Sequence, residues 1–189
     1  MTPRLITLEG PDGVGKTTLA VRLADHLRAK GRRVLLTSEP TQSPIGTLIR
    51  AALAGDEQIR PALAHLFAAD RALHLATEIQ PALNAGMDVI CDRYILSSLA
   101  YQGPEAWPLN RHFRVPDLTL LLTAPVAVRL ARISARAVED PWEWEHAETV
   151  GRAYDIAATI CRVEDGWHIA TIDASGTPDD TFAAALRAL

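Results

Sequence analysis

The feature that most constrains the fold is a glycine-rich loop near the start of the chain. Residues 10–17 read Gly-Pro-Asp-Gly-Val-Gly-Lys-Thr, which fits the pattern Gly-x4-Gly-Lys-[Ser/Thr]. An apolar run at residues 5–9 precedes the loop, and residues 17–30 follow it with leucines at helical spacing. Glycines let successive backbone N–H groups turn toward phosphate oxygens, and the start of the helix adds partial positive charge. A strand, a loop and a helix in this order predict a binding site for a nucleoside triphosphate.

Two polar side chains of the loop carry the expected chemistry. Lys16 would reach the outer phosphates, and the Thr17 hydroxyl is a suitable ligand for Mg²⁺. The alternative is a glycine-rich turn with a surface lysine. The predicted strand before the loop and the predicted helix after it argue against this alternative. The chain has neither the Asn-Lys-x-Asp pattern that reads guanine nor the Leu-Ser-Gly-Gly-Gln pattern of transporter ATPases. Small kinases are therefore favoured among proteins with such a loop.

Apolar runs alternate with helical stretches along the whole chain, which predicts an α/β fold. The predicted strands cover residues 5–9, 33–37, 89–91, 118–123 and 168–172. Each is a continuous apolar run, as is typical of parallel strands buried on both faces. Residues 61–85 are predicted to be helical with a break at Pro81, and Thr177 is predicted to cap the last helix. We expect one domain over residues 1–189: a three-layer α/β/α architecture with a five-stranded parallel sheet, of the P-loop kinase type.

Net charge, the length of the apolar stretches and the cysteine count limit which partners and which cellular location are expected. The formal net charge is -4, which argues against a nucleic-acid partner. No apolar stretch approaches the roughly 20 residues needed to cross a bilayer, so no membrane association is expected. Two cysteines are too few for a disulfide framework or a zinc site, and Cys91 lies in an apolar run that predicts burial. With no visible signal peptide, the sequence predicts a cytoplasmic protein.

A second group of polar residues follows the predicted strands. Asp92-Arg93 comes directly after the third strand, and Glu39 comes after the second. The carboxyl ends of parallel strands meet at one edge of the sheet, so these residues should lie near the glycine loop. Asp92 could then hold Mg²⁺ or its waters, and Arg93 could bridge the phosphates of a donor and an acceptor. A simple ion pair at the strand ends is the alternative.

A third group could hold an acceptor base. Phe67 and Arg71 are four residues apart on a predicted helix, so both project from one face, where they could stack on a base and donate to its carbonyl edge. A core phenylalanine with a surface arginine is the alternative. Residues 97–102 add the hydroxyl of Ser98, the phenol of Tyr101 and the amide of Gln102. Locally, these could equally be the polar residues of an ordinary helix start.

Taken together, these pieces resemble the thymidylate kinase family. The matching stretches occur in the family's order at residues 9–18, 39–40, 66–72, 92–103 and 116–120. The resemblance implies transfer of a phosphoryl group from ATP to dTMP, with Mg²⁺ as cofactor, ATP and dTMP as ligands, and a homodimer formed by helices packed side by side. The apolar faces around residues 63–83 could form that interface, or they could equally be core within the chain. It implies that ATP is bound by Gly10, Pro11, Asp12, Gly13, Val14, Gly15, Lys16, Thr17 and Thr18.

The resemblance also implies how dTMP is bound. Phe67 would stack on thymine, Arg71 would donate to a thymine carbonyl, and Asp12 would contact the acceptor sugar or its phosphate region. Ser98 and Gln102 would meet the remaining base edge, and Tyr101 would crowd the position of a ribose 2′-hydroxyl. The acceptor phosphate, with its metal or waters, would be positioned by Glu39, Arg50 and Arg93.

In this family a catalytic arginine comes either from the phosphate loop or from a mobile lid. The loop here has Gly13 at that position, so the resemblance implies a lid around residues 136–148 that acts through Arg132 or Arg136, alongside Lys16, Arg93 and Asp12. One departure is Asp140-Pro141, where the family usually has Asp-Arg, within an acidic segment that also carries Trp142 and Trp144. Two alternatives therefore stay open: a kinase of the same fold for another (deoxy)nucleotide or nucleoside, and a nucleotide-binding protein whose transferase activity has decayed.

Overall fold

The structure is a computed structural model that describes residues 2–135 and 141–189, and only the backbone of residues 141–145. Residues 136–140 of the predicted lid (136–148), with Arg136, therefore lie outside the described residues, as do the side chains of Trp142 and Trp144. Residues 141–148 of the predicted lid form the start of a long helix, Pro141–Asp165. The described strands are β1 (Leu5–Glu9), β2 (Val34–Ser38), β3 (Asp88–Asp92), β4 (Leu118–Thr123) and β5 (Ile169–Asp173). They form one all-parallel sheet in the order β2-β3-β1-β4-β5, which confirms the predicted fold class.

Helices connect the strands and cover both faces of the sheet. The described α-helices are α1 (Lys16–Ala29), α2 (Pro44–Leu53), α3 (Leu63–His74), α4 (Gln80–Asn84), α5 (Ile95–Gln102), α6 (Trp107–Asn110), α7 (Val126–Ser134), α8 (Pro141–Asp165) and α9 (Pro178–Ala188), and short 3-10 helices span Arg60–Ala62 and Pro104–Ala106. One apolar cluster lies between the sheet and α5 and α8, and a second lies between the sheet and α1 and α9. In the described part of the chain, no helix is both long enough and apolar enough to span a membrane.

The prediction that every strand is buried on both faces is correct only for the centre of the sheet. Every residue of β1 and β3 is buried, whereas β2 and β5 at the two edges have partly or fully exposed positions. An edge strand has a neighbour on one side only, so its apolar run need not be buried throughout. The apolar pattern therefore gives the strands but not their place in the sheet.

The predicted break at Pro81 is present as a change of helix type. Between α3 and α4, residues Leu75–Ile79 form a π-helical turn, and Pro81 lies in the first turn of α4. Proline has no N–H to donate to the preceding turn, so the regular helix is interrupted there. At the other end of the chain, Thr177 and Asp180 form a reciprocal capping box at the start of α9, as the helix-start interpretation predicted.

The order of the strands determines where a ligand can bind. From β1 the chain moves to β2 and β3 on one side of the sheet, and then to β4 and β5 on the other. In an open parallel sheet the binding crevice lies outside the carboxyl ends of the strands, where the strand order reverses. The glycine loop between β1 and α1 lies at that crevice.

Candidate active site

Two cavities meet at the carboxyl edge of the sheet. The first has a volume of about 400 Å³ and the second about 330 Å³. The second lies over the glycine loop, whose Gly13, Gly15, Lys16 and Thr17 line it together with Asp92. Five residues line both cavities: Asp12, Glu39, Pro40, Leu53 and Arg93. Any two ligands that fill the cavities would therefore meet at Asp12 and Arg93.

The backbone of the loop requires glycine at position 13. Its φ is +81°, and a Cβ atom there would lie 2.5 Å from the carbonyl oxygen of Arg129 in α7. Left-handed φ and a backbone contact this close both exclude larger residues. The loop therefore has no room for the arginine that some members of such families carry at this position.

Lys16 lies inside the loop rather than on the surface. Its side chain is only 6% exposed, and its Nζ donates to the Pro11 carbonyl at 2.9 Å and to Asp12 Oδ1 at 3.3 Å. Burial and the nearby Arg93 guanidinium lower the pKa of Lys16, whereas Asp12 favours its charged form. A buried ammonium group held in this way is a strong point charge for phosphate oxygens.

Thr17 and Asp92 lie together, as expected from their positions just beyond β1 and at the carboxyl end of β3. Thr17 Oγ1 donates to Asp92 Oδ2 at 2.6 Å. Asp92 Oδ1 is buried and has no hydrogen-bond partner among the described residues. A hydroxyl and a carboxylate with a free buried oxygen form the kind of hard-oxygen site that suits Mg²⁺.

Arg93 links the two cavities. Its backbone has a φ of +71°, unusual for an arginine, and its guanidinium donates to the Asp12 carboxylate and to Tyr154 Oη. The guanidinium also lies over the Tyr101 ring, 5.2 Å from its centroid. Although burial favours the neutral acid, the charges of Arg93 and Lys16 outweigh it and lower the pKa of Asp12. Arg93 is therefore a fixed positive group at the point where the cavities meet.

The first cavity contains the aromatic–arginine pair predicted from the helical spacing. Phe67 and Arg71 both line it, with Ser98, Tyr101 and Gln102 on the opposite helix. Arg71 is 1% exposed and is held by Glu39 at 2.7 Å, by Ser98 at 3.1 Å and by Asn110. The alternative of a surface arginine is therefore wrong, because α5 and α6 cover this side chain. The buried Nε donor of Arg71 and Oε1 acceptor of Gln102 have no partner among the described residues.

Arg50 and Arg132 lie in different places relative to the loop. Arg50 lines the second cavity, and its Nη1 donates to the Thr41 carbonyl at 2.8 Å. Arg132 lines neither cavity and instead donates to the carbonyls of Ala174 and Gly176, each at 2.8 Å. The structure therefore does not bring Arg132 together with Lys16, Asp12 and Arg93, because the loop after β5 holds its guanidinium.

Several site residues carried no signal that the sequence analysis used. Asp70 accepts from Thr41 and Ser43 and so fixes the loop that follows Glu39-Pro40. Asn110 holds Arg71, and Tyr154 reaches Arg93 from α8. Asn110 and Tyr154 are isolated polar residues far from the motifs they support. The one available signal was Glu9, a carboxylate in an otherwise apolar strand.

Glu9 is fully buried, and its environment predicts a pH dependence of stability. Desolvation raises the pKa of Glu9 from 4.5 to about 7, although Ser97 and Arg93 favour the ionised form. Below pH 4.5 the Glu9 carboxyl is protonated in both the folded and the unfolded chain. Between pH 4.5 and about 7 it stays protonated in the folded chain but is ionised in the unfolded chain. The free energy of unfolding should therefore fall as pH rises through this window, by about 3 kcal/mol for this group.

The measurement is urea unfolding of the wild type and Glu9→Gln between pH 4.5 and 8. Other groups titrate equally in both proteins, so the difference between them isolates Glu9. We expect the wild type to lose about 3 kcal/mol relative to the variant as pH rises. A pH-independent difference would contradict a raised pKa at Glu9.

Comparison with known proteins gives one consistent family. The sequence profile described as Thymidylate kinase matches residues 8–184. The chain is 41% identical over 187 residues to the thymidylate kinase of Xanthomonas euvesicatoria, covering 96% of this chain and 80% of that protein. It is 47% identical over 144 residues to the thymidylate kinase of Thermomicrobium roseum, covering 70% of this chain and 68% of that protein. A probable thymidylate kinase of Pyrococcus horikoshii is 48% identical over 143 residues, covering 69% and 70%.

Proposed function

Because this chain belongs to the thymidylate kinase family, we propose that it transfers the γ-phosphoryl group of ATP to dTMP, giving dTDP and ADP. The observation that carries this proposal is the pair of cavities that meet at Asp12 and Arg93. ATP phosphates would occupy the cavity over the glycine loop, and dTMP the cavity beside Phe67. A phosphate oxygen of dTMP then attacks the γ-phosphorus in line, and the bond to the β,γ-bridging oxygen breaks.

The first cavity offers hydrogen-bonding groups that complement thymine. Arg71 can only donate, so its free Nε suits a base carbonyl and rejects the exocyclic amino group of cytosine. The free Oε1 of Gln102 accepts, which suits the imide N–H of thymine. Phe67 lies beside both and would stack on the ring. Buried partners that a wrong base leaves unpaired give strong discrimination.

The proposed roles at the phosphates follow from charge and position. Lys16 would hold the transferring phosphoryl group, while Arg93, Glu39 and Arg50 would position the acceptor phosphate with its metal or waters. Thr17 and Asp92 would hold Mg²⁺, since their oxygens form a suitable set of hard donors. When bound, the ion would offset negative charge on the ATP phosphates. The arginines supply the remaining positive charge by fixed position rather than by covalent chemistry.

The catalytic roles of Arg132 and Arg136 remain predictions. With no room for a side chain at Gly13, a second cation must reach the transferring phosphoryl group from elsewhere. Arg132 would have to leave the carbonyls of Ala174 and Gly176 to do so. Arg136 lies in the segment 136–140, outside the described residues, and is the other proposed source.

We also propose a homodimer, which the family resemblance implied. One face of α3 and the π-helical turn contributes buried residues to the site, including Arg71 and His74. The opposite face exposes a small apolar strip of Ala69, Ala72, Leu73 and Ala76. Such a strip lets two helices approach closely, which supports pairing through this face. The cytoplasmic location also remains a prediction.

Substrate preference tests the proposed function. We expect ADP release with ATP and Mg²⁺ to be fastest with dTMP in a panel that also contains dUMP, CMP, UMP and AMP. Because one methyl group is worth about 1–3 kcal/mol, dUMP should be a partial substrate. Lys16→Ala serves as the background control. If dTMP gave no more turnover than CMP, UMP or AMP, the assignment to dTMP would be wrong, and preference for another nucleotide would indicate a different kinase of this fold.

A further inference from the structure

A buried chain of hydrogen bonds connects Arg93 to the end of β1. Arg93 Nη1 lies 3.1 Å from Tyr154 Oη, which lies 2.8 Å from Ser97 Oγ. Ser97 Oγ in turn lies 2.6 Å from Glu9 Oε2. Tyr154, Ser97 and Glu9 are all buried, at 1%, 8% and 0% exposure. The proposed reaction assigns no role to these three residues.

The direction of this chain is determined by its two charged ends. An ionised Glu9 can only accept, so Ser97 gives its single hydroxyl hydrogen to Glu9. Ser97 Oγ can then accept from the Tyr154 hydroxyl, which leaves the lone pairs of Tyr154 Oη for Arg93. Without the charge at position 9, the Ser97 hydroxyl is free to turn toward Tyr154. The Tyr154 hydrogen would then face the donors of Arg93.

Glu9 also holds the backbone next to Arg93. Its second oxygen, Oε1, accepts from the Tyr94 N–H at 2.8 Å. Tyr94 follows Arg93, whose backbone φ of +71° is one that residues other than glycine rarely adopt. One carboxylate therefore fixes both the peptide after Arg93 and the acceptor of its guanidinium. Asp12 holds the other side of the same guanidinium.

We propose that Glu9 is a positioning residue that orients Arg93 toward the acceptor phosphate through Ser97 and Tyr154. The proposal rests on the proposed function, because that function places the dTMP phosphate at Arg93. Glu9 itself does not line either cavity and so has no direct contact with the ligands expected there. Any effect of Glu9 on ligands must therefore pass through Arg93, and since the proposed function places the dTMP phosphate at Arg93, we expect the affinity for dTMP to change more than that for ATP.

The test is steady-state kinetics at pH 8 on Glu9→Gln, Tyr154→Phe and the double variant. Glu9→Gln fills the same volume without the charge. Tyr154→Phe removes the nearer acceptor of Arg93 Nη1, at 3.1 Å, and leaves only the longer contact to Ser97 Oγ at 3.4 Å. We expect each to raise KM for dTMP about tenfold, the effect of losing one charge-assisted hydrogen bond, with KM for ATP within about twofold of wild type. The double variant should be no worse than the worse single variant, because both break one chain. Glu164→Gln, at an exposed glutamate, is the matched control.

Thermal unfolding separates positioning from a purely structural role. At pH 8 Glu9→Gln removes a buried charge, so this variant should be at least as stable as wild type. A higher KM for dTMP without a lower Tm therefore supports positioning. Unchanged KM for dTMP in folded Tyr154→Phe, or additive effects in the double variant, would overturn the proposal. If Glu9→Gln failed to fold, Tyr154→Phe alone would decide. Absence of dTMP phosphorylation by wild type and Glu164→Gln would instead overturn the proposed function, and this proposal with it.

Discussion

Replacing Lys16 by alanine is expected to lower kcat for dTMP phosphorylation by about 10³-fold or more, with the affinity for dTMP nearly unchanged. The Nζ of Lys16 is held within the glycine loop, only 2.9 Å from the Pro11 carbonyl. It is therefore placed to neutralise charge that develops on the transferring phosphoryl group. The first cavity, where dTMP is proposed to bind, does not include Lys16 among its lining residues. The effect should thus fall on the chemical step and on ATP.

The chain provides a direct control for this prediction. Lys30 is the one other lysine in the sequence and lies exposed just after α1. Lys30→Ala removes the same charge and should keep wild-type kinetics. Kinetics would be measured by ADP release and dTMP affinity by calorimetry. A loss smaller than tenfold in folded Lys16→Ala would show that the phosphoryl group does not depend on this lysine.

Replacing Arg93 by alanine is expected to lower kcat/KM for dTMP by about 10³-fold, the lower end of what one well-placed arginine contributes in phosphoryl transfer. Arg93 lies where the two cavities meet and is paired with Asp12. Removing the guanidinium takes positive charge from this point and also leaves the Asp12 carboxylate facing two anionic ligands. Both changes raise the barrier.

Alanine is a suitable replacement at this position because it leaves the steric restriction on the backbone unchanged. Arg93 has a φ of +71°, and alanine, which also has a Cβ, meets the same steric restriction there. Any change in Tm therefore reports lost side-chain contacts rather than relieved strain. Arg152→Ala, which removes an exposed guanidinium from α8, is the control for charge. Equal kcat/KM values for Arg93→Ala and Arg152→Ala would contradict a role for Arg93 at the phosphates.

The sequence predicts best where a few neighbouring residues determine the structure. The glycine loop and the cap at Thr177 are local patterns, and both are found as expected. The contact of Thr17 with Asp92 was also predictable, because parallel strands bring their carboxyl ends to one edge. The helical spacing of Phe67 and Arg71 correctly placed both on one side of a cavity.

What the sequence could not give depends on packing between distant segments. The burial of Arg71 requires α5 and α6 to fold over it, and its partner Asn110 is 39 residues away. The chain from Glu9 to Arg93 passes through Tyr154 on α8, a residue that belongs to no motif. The carbonyl groups of the loop after β5 that hold the Arg132 guanidinium also leave no sequence signature. Such contacts appear only in three dimensions.

The tight contact between Gly13 and the backbone of Arg129 restricts how this enzyme can be engineered. The phosphate loop and α7 touch backbone to backbone at Gly13, with no space for a side chain between them, so the two segments form one unit. A chimera that imports an arginine-bearing loop would have to import a matching α7 as well. Grafting either piece alone should misalign the nucleotide cradle, whereas exchanging both together preserves their fit.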